Sequence, residues 1–317
     1  MYDPKHSFKI LKMRFFYSII IFLLIFNILP DKIYSYQMKI LSIDTSCTLI
    51  PVGNYFHDPV AFSVDPAGII YVLDRGNNTI YKVLLEDTSL SFSTSYSWKD
   101  NADNQFRDII SPNGLDVYVA DFGSNHIHRF DKNLNFVSSI PQYDFTSMEK
   151  IFGFPLSLDV DRFGALYFID SENKNIRKIS KSNQIEKTFG GYEAGLGRLK
   201  DPECLKISRD ENLVYVSDID RIVVFDIYGN YIKFIPSPGL SKHFTLAQGG
   251  IIIAESCSVS LIDEKGAIKK YTLQPTLIDK EGCIKIIDLE INQGVLYMLT
   301  KNYIILMGVK YQTIQRE

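Results

Sequence analysis

An all-β chain folded as a six-bladed propeller is what this sequence predicts, and three observations carry the prediction. A short apolar strand ending in an acidic turn recurs as YVLDRGNNTIYKV, YVADFGSNHIHRF, YFIDSENKNIRKI and YVSDIDRIVVF. The marker residues Tyr71, Tyr118, Tyr167 and Tyr215 are spaced by 47, 49 and 48 residues, a period that suits one four-stranded blade per copy. Within a copy the apolar residues alternate at period two, as in SLDVDRFGALYFID around Gly164, and a helical repeat would need a period near 3.6.

In chain order, the first element is an N-terminal segment. Residues 15–29, FFYSIIIFLLIFNIL, are uncharged and apolar, and Lys9, Lys12 and Arg14 precede them. This layout predicts a signal peptide or an uncleaved signal anchor over residues 1–35, with the propeller over 36–317 outside the cytoplasm. Membrane contact is expected only through such an uncleaved anchor. The run MKILSIDTSCTLIPV, from Met38 to Val52, matches no repeat copy. It is expected to supply the outer strand of the last blade and close the ring, which removes an exposed pairing edge.

Superposing the copies places blade cores at 59–96, 106–140, 155–189, 202–236, 243–273 and 284–311. Their hairpins carry Gly, Asn, Asp and Ser, the residues that adopt positive φ or bond to their own turn. In the last two blades the pattern weakens to IIIAES near Ile252 and YMLT at Tyr297.

Pro59, Tyr71, Asp74, Asn77 and Ile80 form one set of markers, Tyr118, Asp121, Asn125 and Ile127 a second, and Pro155, Tyr167, Asp170, Asn173 and Ile176 a third. A fourth copy keeps Pro202, Tyr215, Asp218 and Ile222 with a shorter turn, and FGGYEAGLGRLKDP links the third copy to the fourth. In these features the chain resembles the NHL-repeat family of six-bladed β-propellers, over about residues 55–235. The resemblance implies a fold used by protein-binding and RNA-binding modules, secreted scaffolds, and some metal-dependent lyases and hydrolases.

Charge narrows that range. The 317-residue chain has a formal charge of −3, which becomes about −6 without residues 1–35. A phosphate-binding surface needs a cationic excess, so nucleic acid is not an expected partner. No G-x-S-x-G elbow, glycine-rich phosphate loop or H-E-x-x-H motif is present, which leaves serine-hydrolase, nucleotide and zincin chemistry without a sequence basis. The four cysteines, Cys47, Cys204, Cys257 and Cys283, are even in number and lack a CxxC spacing. A disulfide among them and buried free thiols are both compatible with that pattern.

The recurring aspartates Asp74, Asp121, Asp170 and Asp218 sit where a carboxylate can accept N–H bonds from a hairpin, and are assigned to structure. A site should break the repeat. Asymmetric polar residues occur where inner strands begin: His57 and Asp58 in FHDPV, Arg107 and Asp108 in FRDII, Asp201 and Glu203 in KDPEC, and His243 in SKHFT. Of these, His57, Asp58, Arg107, Asp108, Glu203 and His243 form the expected ligand-binding set at the channel mouth, able to hold a polar ligand or a divalent metal. His126 and His128 are expected as exposed hairpin residues. Asn77 heads an Asn-Asn-Thr sequon and is a candidate glycosylation site. The leading functional expectation is an exported module that binds a protein, peptide or glycan; the alternative is a metal-assisted lyase or hydrolase acting at the channel mouth.

Overall fold

The computed structural model describes residues 36–53, 55–98, 105–141, 152–237, 243–255, 258–263, 266–273, 278–279 and 282–315. The segment 1–35, with its expected signal or anchor, lies outside them. One compact unit spans Lys39–Gln312. Of the other, Met1–Met38 with Thr313–Glu317, only Thr313 and the backbone of 36–38 and 314–315 are described.

Strand β1 (Tyr36–Pro51) comes first. Blade one comprises β2 (Pro59–Val64), β3 (Ile70–Asp74), β4 (Thr79–Glu86) and β5 (Ser89–Ser97). Blade two comprises β6 (Phe106–Ile110), β7 (Asp116–Asp121), β8 (His126–Asp131) and β9 (Phe136–Ile140). Blade three comprises β10 (Pro155–Val160), β11 (Leu166–Asp170), β12 (Asn175–Ile179) and β13 (Ile185–Phe189). Blade four comprises β14 (Pro202–Ser208), β15 (Leu213–Asp218), β16 (Arg221–Asp226) and β17 (Tyr231–Pro236). Blade five comprises β18 (Phe244–Ala247), β19 (Gly250–Glu255), β20 (Ser258–Asp263) and β21 (Ile268–Thr272). A two-residue ladder, β22 (Ile278–Asp279) with β23 (Gly282–Cys283), precedes blade six, made of β24 (Ile286–Asn292), β25 (Val295–Thr300) and β26 (Tyr303–Gln315). Its sheet runs in the order β1-β26-β25-β24.

Blades one to five are antiparallel meanders, each with its strands in sequence order. The innermost strands touch in a closed cycle, β2 to β6, β10, β14, β18, β24 and back to β2. That cycle makes the fold a six-bladed propeller. Its core is divided among the blade interfaces. Ile70, Val72 and Leu299 pack between blades six and one, Tyr71, Phe106 and Phe130 between one and two, and Ile127, Leu158 and Phe168 between two and three. Tyr167, Val214 and Phe225 fill the next interface, Ile222, Phe244 and Ile253 the next, and Ile252, Leu289 and Met298 the last. Alternation at period two supplies one apolar face to each neighbour, which is why both faces of a strand such as IYVLD are buried. The marker tyrosines add a polar tie: Tyr71 Oη donates to Lys132 O of the next blade at 2.9 Å, and Tyr167 Oη to Ile227 O at 3.0 Å.

An innermost strand leaves one backbone edge facing the channel, and its N–H groups need acceptors. The preceding blade provides them from side chains. Asp288 accepts from Phe62 N at 3.1 Å, and Glu290 from Val64 N at 2.9 Å. Ser63 Oγ accepts from Ser111 N at 2.9 Å, and Asp108 from Leu158 N at 2.9 Å. Ser157 Oγ and Asp159 accept from Leu205 N and Ile207 N at 3.2 and 2.8 Å. These bonds run around the channel from blade to blade.

The repeated aspartates tie each turn to the loop before its blade. Asp74, fully buried, accepts from His57 N and Asp58 N at 2.9 and 2.8 Å and from Asn77 Nδ2 at 2.7 Å. Asp121 accepts from Gln105 N, Asp170 from Gly153 N, and Asp218 from Lys200 N and Asp201 N. Glu255 and Thr300 hold the same strand-end position in blades five and six. Glu255 accepts from Ser258, Ser260 and Lys270, and Thr300 Oγ1 accepts from Asn302 N and Tyr303 N.

The expectation for His126 and His128 needs correction. His126 is buried, and His128 is nearly so, its Nε2 3.4 Å from Asp121 Oδ2 and its Nδ1 2.9 Å from Ser139 Oγ. The two rings stack at 6.0 Å, and Trp98 and Phe136 pack on His128. Trp98, just after β5, and Phe136 of β9 thus cover a face that the isolated hairpin would expose.

Candidate functional site at the channel mouth

The site lies where the innermost strands begin. A register shift follows the first residue of β2, β6, β10, β14 and β24, which turns the following side chains toward the channel opening. A cavity of about 1180 Å3 opens there. All six residues expected at the mouth line it: His57, Asp58, Arg107, Asp108, Glu203 and His243. Asp201, in the same loop as Glu203, is not among its lining residues.

Each residue is held by a local device. The loop carrying His57 and Asp58 rests on Asp74 through the two bonds above and packs against the following turn at Gly76. A Cβ built at Gly76 would stand 2.7 Å from His57 Cβ and 2.9 Å from Asp58 N, so a glycine is needed for this close approach. Asp58 pairs with Arg75, Nη2 to Oδ2, at 2.7 Å. Arg107 lays its guanidinium over the Phe122 ring at 4.9 Å, and Phe122 stacks on Phe154 at 4.8 Å. Burial, followed by the neighbouring Arg75 charge, lowers the Arg107 pKa, and Glu203 opposes this.

The same cavity is also lined by Lys206 and Asp288, part of a charged cluster that strand patterns alone do not reveal. Asp108 accepts from Ser157 Oγ at 2.8 Å as well as from Ile109 N and Leu158 N. Burial pushes its pKa to about 6, helped by Asp288 and opposed by Lys206. Burial likewise raises Asp288 and brings Glu290 to about 7, again against the pull of Lys206. For Lys206 itself burial lowers the pKa, but Cys204, Asp288, Asp108 and Glu290 outweigh it and the net shift is upward. Lys206 is therefore an ammonium at any ordinary pH, set among carboxylates from blades two and six. Lys206, Asp288 and Glu290 were absent from the sequence-derived set. KIS and IDLE read as ordinary inner strand, and their only signal is a charge in an innermost strand next to a buried position.

His243 completes the wall. Its Nδ1 stands 3.7 Å from Asp288 Oδ1, an imidazole beside a buried carboxylate at a separation longer than a hydrogen bond. Among the described residues, no group of three or more His, Cys, Asp or Glu side chains is arranged to hold a metal ion. Cys47 and Cys204 carry free thiols, and burial raises the Cys204 pKa to about 12. Cys257 and the Cys283 side chain lie outside the described residues. Asn77 is exposed at its turn, with Nδ2 bonded to Asp74 and reaching Tyr55 O and Tyr81 Oη at 3.4 and 3.3 Å.

No protein-family model matches the chain, and no curated protein matches it. Solved structures do. A catalytically inactive variant of virginiamycin B lyase from Staphylococcus aureus with quinupristin is similar at 15% identity and a TM-score of 0.58, covering 87% of this chain and 100% of that one. A streptogramin B lyase has 14% identity and a TM-score of 0.57 over 87% and 98% of the two chains. A gluconolactonase from Xanthomonas campestris has 13% identity and a TM-score of 0.64 over 89% and 99%. At such identities the likeness concerns the fold, and the site has to be argued from its own residues.

Proposed function

We propose that this chain is an exported, NHL-like propeller that acts as a binding module, taking a polar peptide segment of a partner protein into the channel mouth. One observation carries the reading: charged side chains from blades one, two, four, five and six converge on a single cavity. Convergent polar groups around a concavity are what orient a polar ligand. At about 1180 Å3, the cavity exceeds the roughly 300–1,000 Å3 of small-ligand pockets, which favours a chain segment. Export is supported by the apolar run 15–29 behind Lys9, Lys12 and Arg14. In this reading β1, next to β26 in the sheet order, is the strand that closes the ring.

Affinity capture from the cell envelope of the native source, with Arg107→Ala as the control, tests the proposal. A partner held by the natural chain and lost by the variant supports it. A chain that stays partnerless in the cytoplasmic fraction ends it.

A second reading is favoured by one feature, the His243–Asp288 contact of 3.7 Å. It makes the same mouth an acid–base site for lyase or hydrolase chemistry. The fold neighbours, two lyases and a lactonase, are compatible with it. Turnover of an ester or lactone panel that vanishes in both His243→Ala and Asp288→Asn would establish this reading over the first.

A further inference from the structure

Arg107 is poorly satisfied by the protein around it. Its Nε is sealed from solvent and has no hydrogen-bond partner among the described residues. Its Nη2 reaches Gln105 Oε1 at 3.5 Å, the outer limit of a hydrogen bond. Buried guanidinium donors are ordinarily matched by carboxylate or carbonyl acceptors. Two of the nearby acids are occupied elsewhere: Asp58 is bonded to Arg75 through both Nε and Nη2, and Asp108 to Ser157, Ile109 and Leu158; Glu203 supports the Arg107 charge electrostatically. Arg75 is also close enough to disfavour the Arg107 charge. Arg75 has Asp58 as its counter-charge, so an anion placed beside Arg107 at the mouth relieves the charge that is less well matched.

The orientation of Arg107 is fixed in advance. The stack of Arg107 on Phe122, itself stacked on Phe154, restrains the planar fork and reduces the rotamer entropy lost on binding. We propose that Arg107 is the anchor of a carboxylate-binding subsite at the channel mouth, and that its ligand is an acidic side chain of a partner peptide. This rests on the binding-module reading above.

Two features select that ligand. A singly charged carboxylate fits better than a phosphate dianion, because Asp58 and Glu203 line the same cavity and would repel a second charge. A peptide fits better than an acidic glycan. Of the Phe, Tyr and Trp rings lining the cavity, Phe106 is fully buried and Tyr303 alone is partly exposed, so the mouth offers little aromatic surface on which a sugar face could stack.

The test is calorimetric titration of the purified protein with acetyl-Glu-Glu-Gly-amide, its Gln-Gln counterpart, galacturonate and inorganic phosphate. The acidic peptide should bind about tenfold or more tighter than the neutral one, as a charge-assisted hydrogen bond implies. Arg107→Gln should remove that preference, while Arg107→Lys keeps only part of it because the fork is lost. Glu203→Gln, which removes a competing carboxylate, should tighten the acidic peptide about two- to fivefold. That gain is readable even if the Arg107 variants fold poorly. Equal binding of the two peptides, or no binding of either, overturns the subsite; so does a preference for galacturonate or phosphate. If a partner is still captured from the envelope in that event, the binding-module reading survives its failure.

Discussion

The interior of the channel and its mouth are built from the same residue types and use them in opposite ways. Along the inner strands Asp108, Asp159, Asp288 and Glu290 each accept a backbone N–H of the following blade, Asp108 and Asp288 while also lining the cavity. They substitute for the strand that an innermost edge lacks. At the mouth, His57 and Arg107 line the opening, and among the described residues Arg107 Nε has no acceptor. The difference separates polar groups that hold the ring together from those left available to a ligand.

The sharpest way to break this comparison is to remove the interior cation. Lys206 offsets buried carboxylates from two other blades. Lys206→Met leaves them without a counter-charge, and the expected cost is about 3 kcal/mol at neutral pH. Urea unfolding measures it. The loss should shrink at pH 4, where Asp108 and Glu290 are protonated in the folded chain. A neutral-pH loss under 1 kcal/mol would mean that the interior charges are as loosely coupled as those at the mouth.

Much of this arrangement was legible beforehand, for identifiable reasons. Blade limits followed from the Tyr-to-Asp spacing, because each copy needs the same four strands and turns to complete a sheet. The six residues expected at the mouth line one cavity because His57, Asp58 and His243 lie just before inner strands and Arg107, Asp108 and Glu203 in their first residues. Lys206, Asp288 and Glu290 were not. Their proximity comes from ring closure, which brings β6, β14 and β24 around one axis, and no local pattern encodes that. Glu255 and Thr300 escaped notice because they replace the aspartate of the repeat with other acceptors, and the hydrogen bonds are what identify the position. His126 and His128 were misjudged because burial by a neighbouring strand is invisible in a single hairpin.

A smaller effect sharpens the same contrast through pH. Asp108 has its folded pKa raised to about 6 from the ordinary aspartate value of 3.8, so the folded state holds a proton between these values that the unfolded state has released. Stability therefore falls as pH rises from about 4 to about 6 and is level above that range. Asp108→Asn should flatten this part of the profile and, near neutral pH, remove a penalty on the order of 1–2 kcal/mol. Glu290, raised to about 7, extends the remaining slope upward in pH. Unfolding midpoints of the two proteins across pH 4–7 give the comparison. Parallel curves would show that Asp108 ionises as an ordinary surface acid.

The smallest stability effect is expected at an exposed residue of the mouth. The His57 backbone, not its ring, is what Asp74 holds, and the side chain is exposed at the cavity. His57→Ala should therefore change unfolding stability by no more than about 0.5 kcal/mol, because the loop keeps its two bonds to Asp74. Binding of the captured partner should nevertheless weaken, since one face of the mouth loses its imidazole. Asp74→Ala is the informative counterpart. It removes the acceptor for His57 N, Asp58 N and Asn77 Nδ2 without touching the cavity lining, so stability and binding should fall together. A His57→Ala protein that is destabilised as much as Asp74→Ala would assign the mouth to the scaffold, and the division between pinned interior and open mouth would no longer hold.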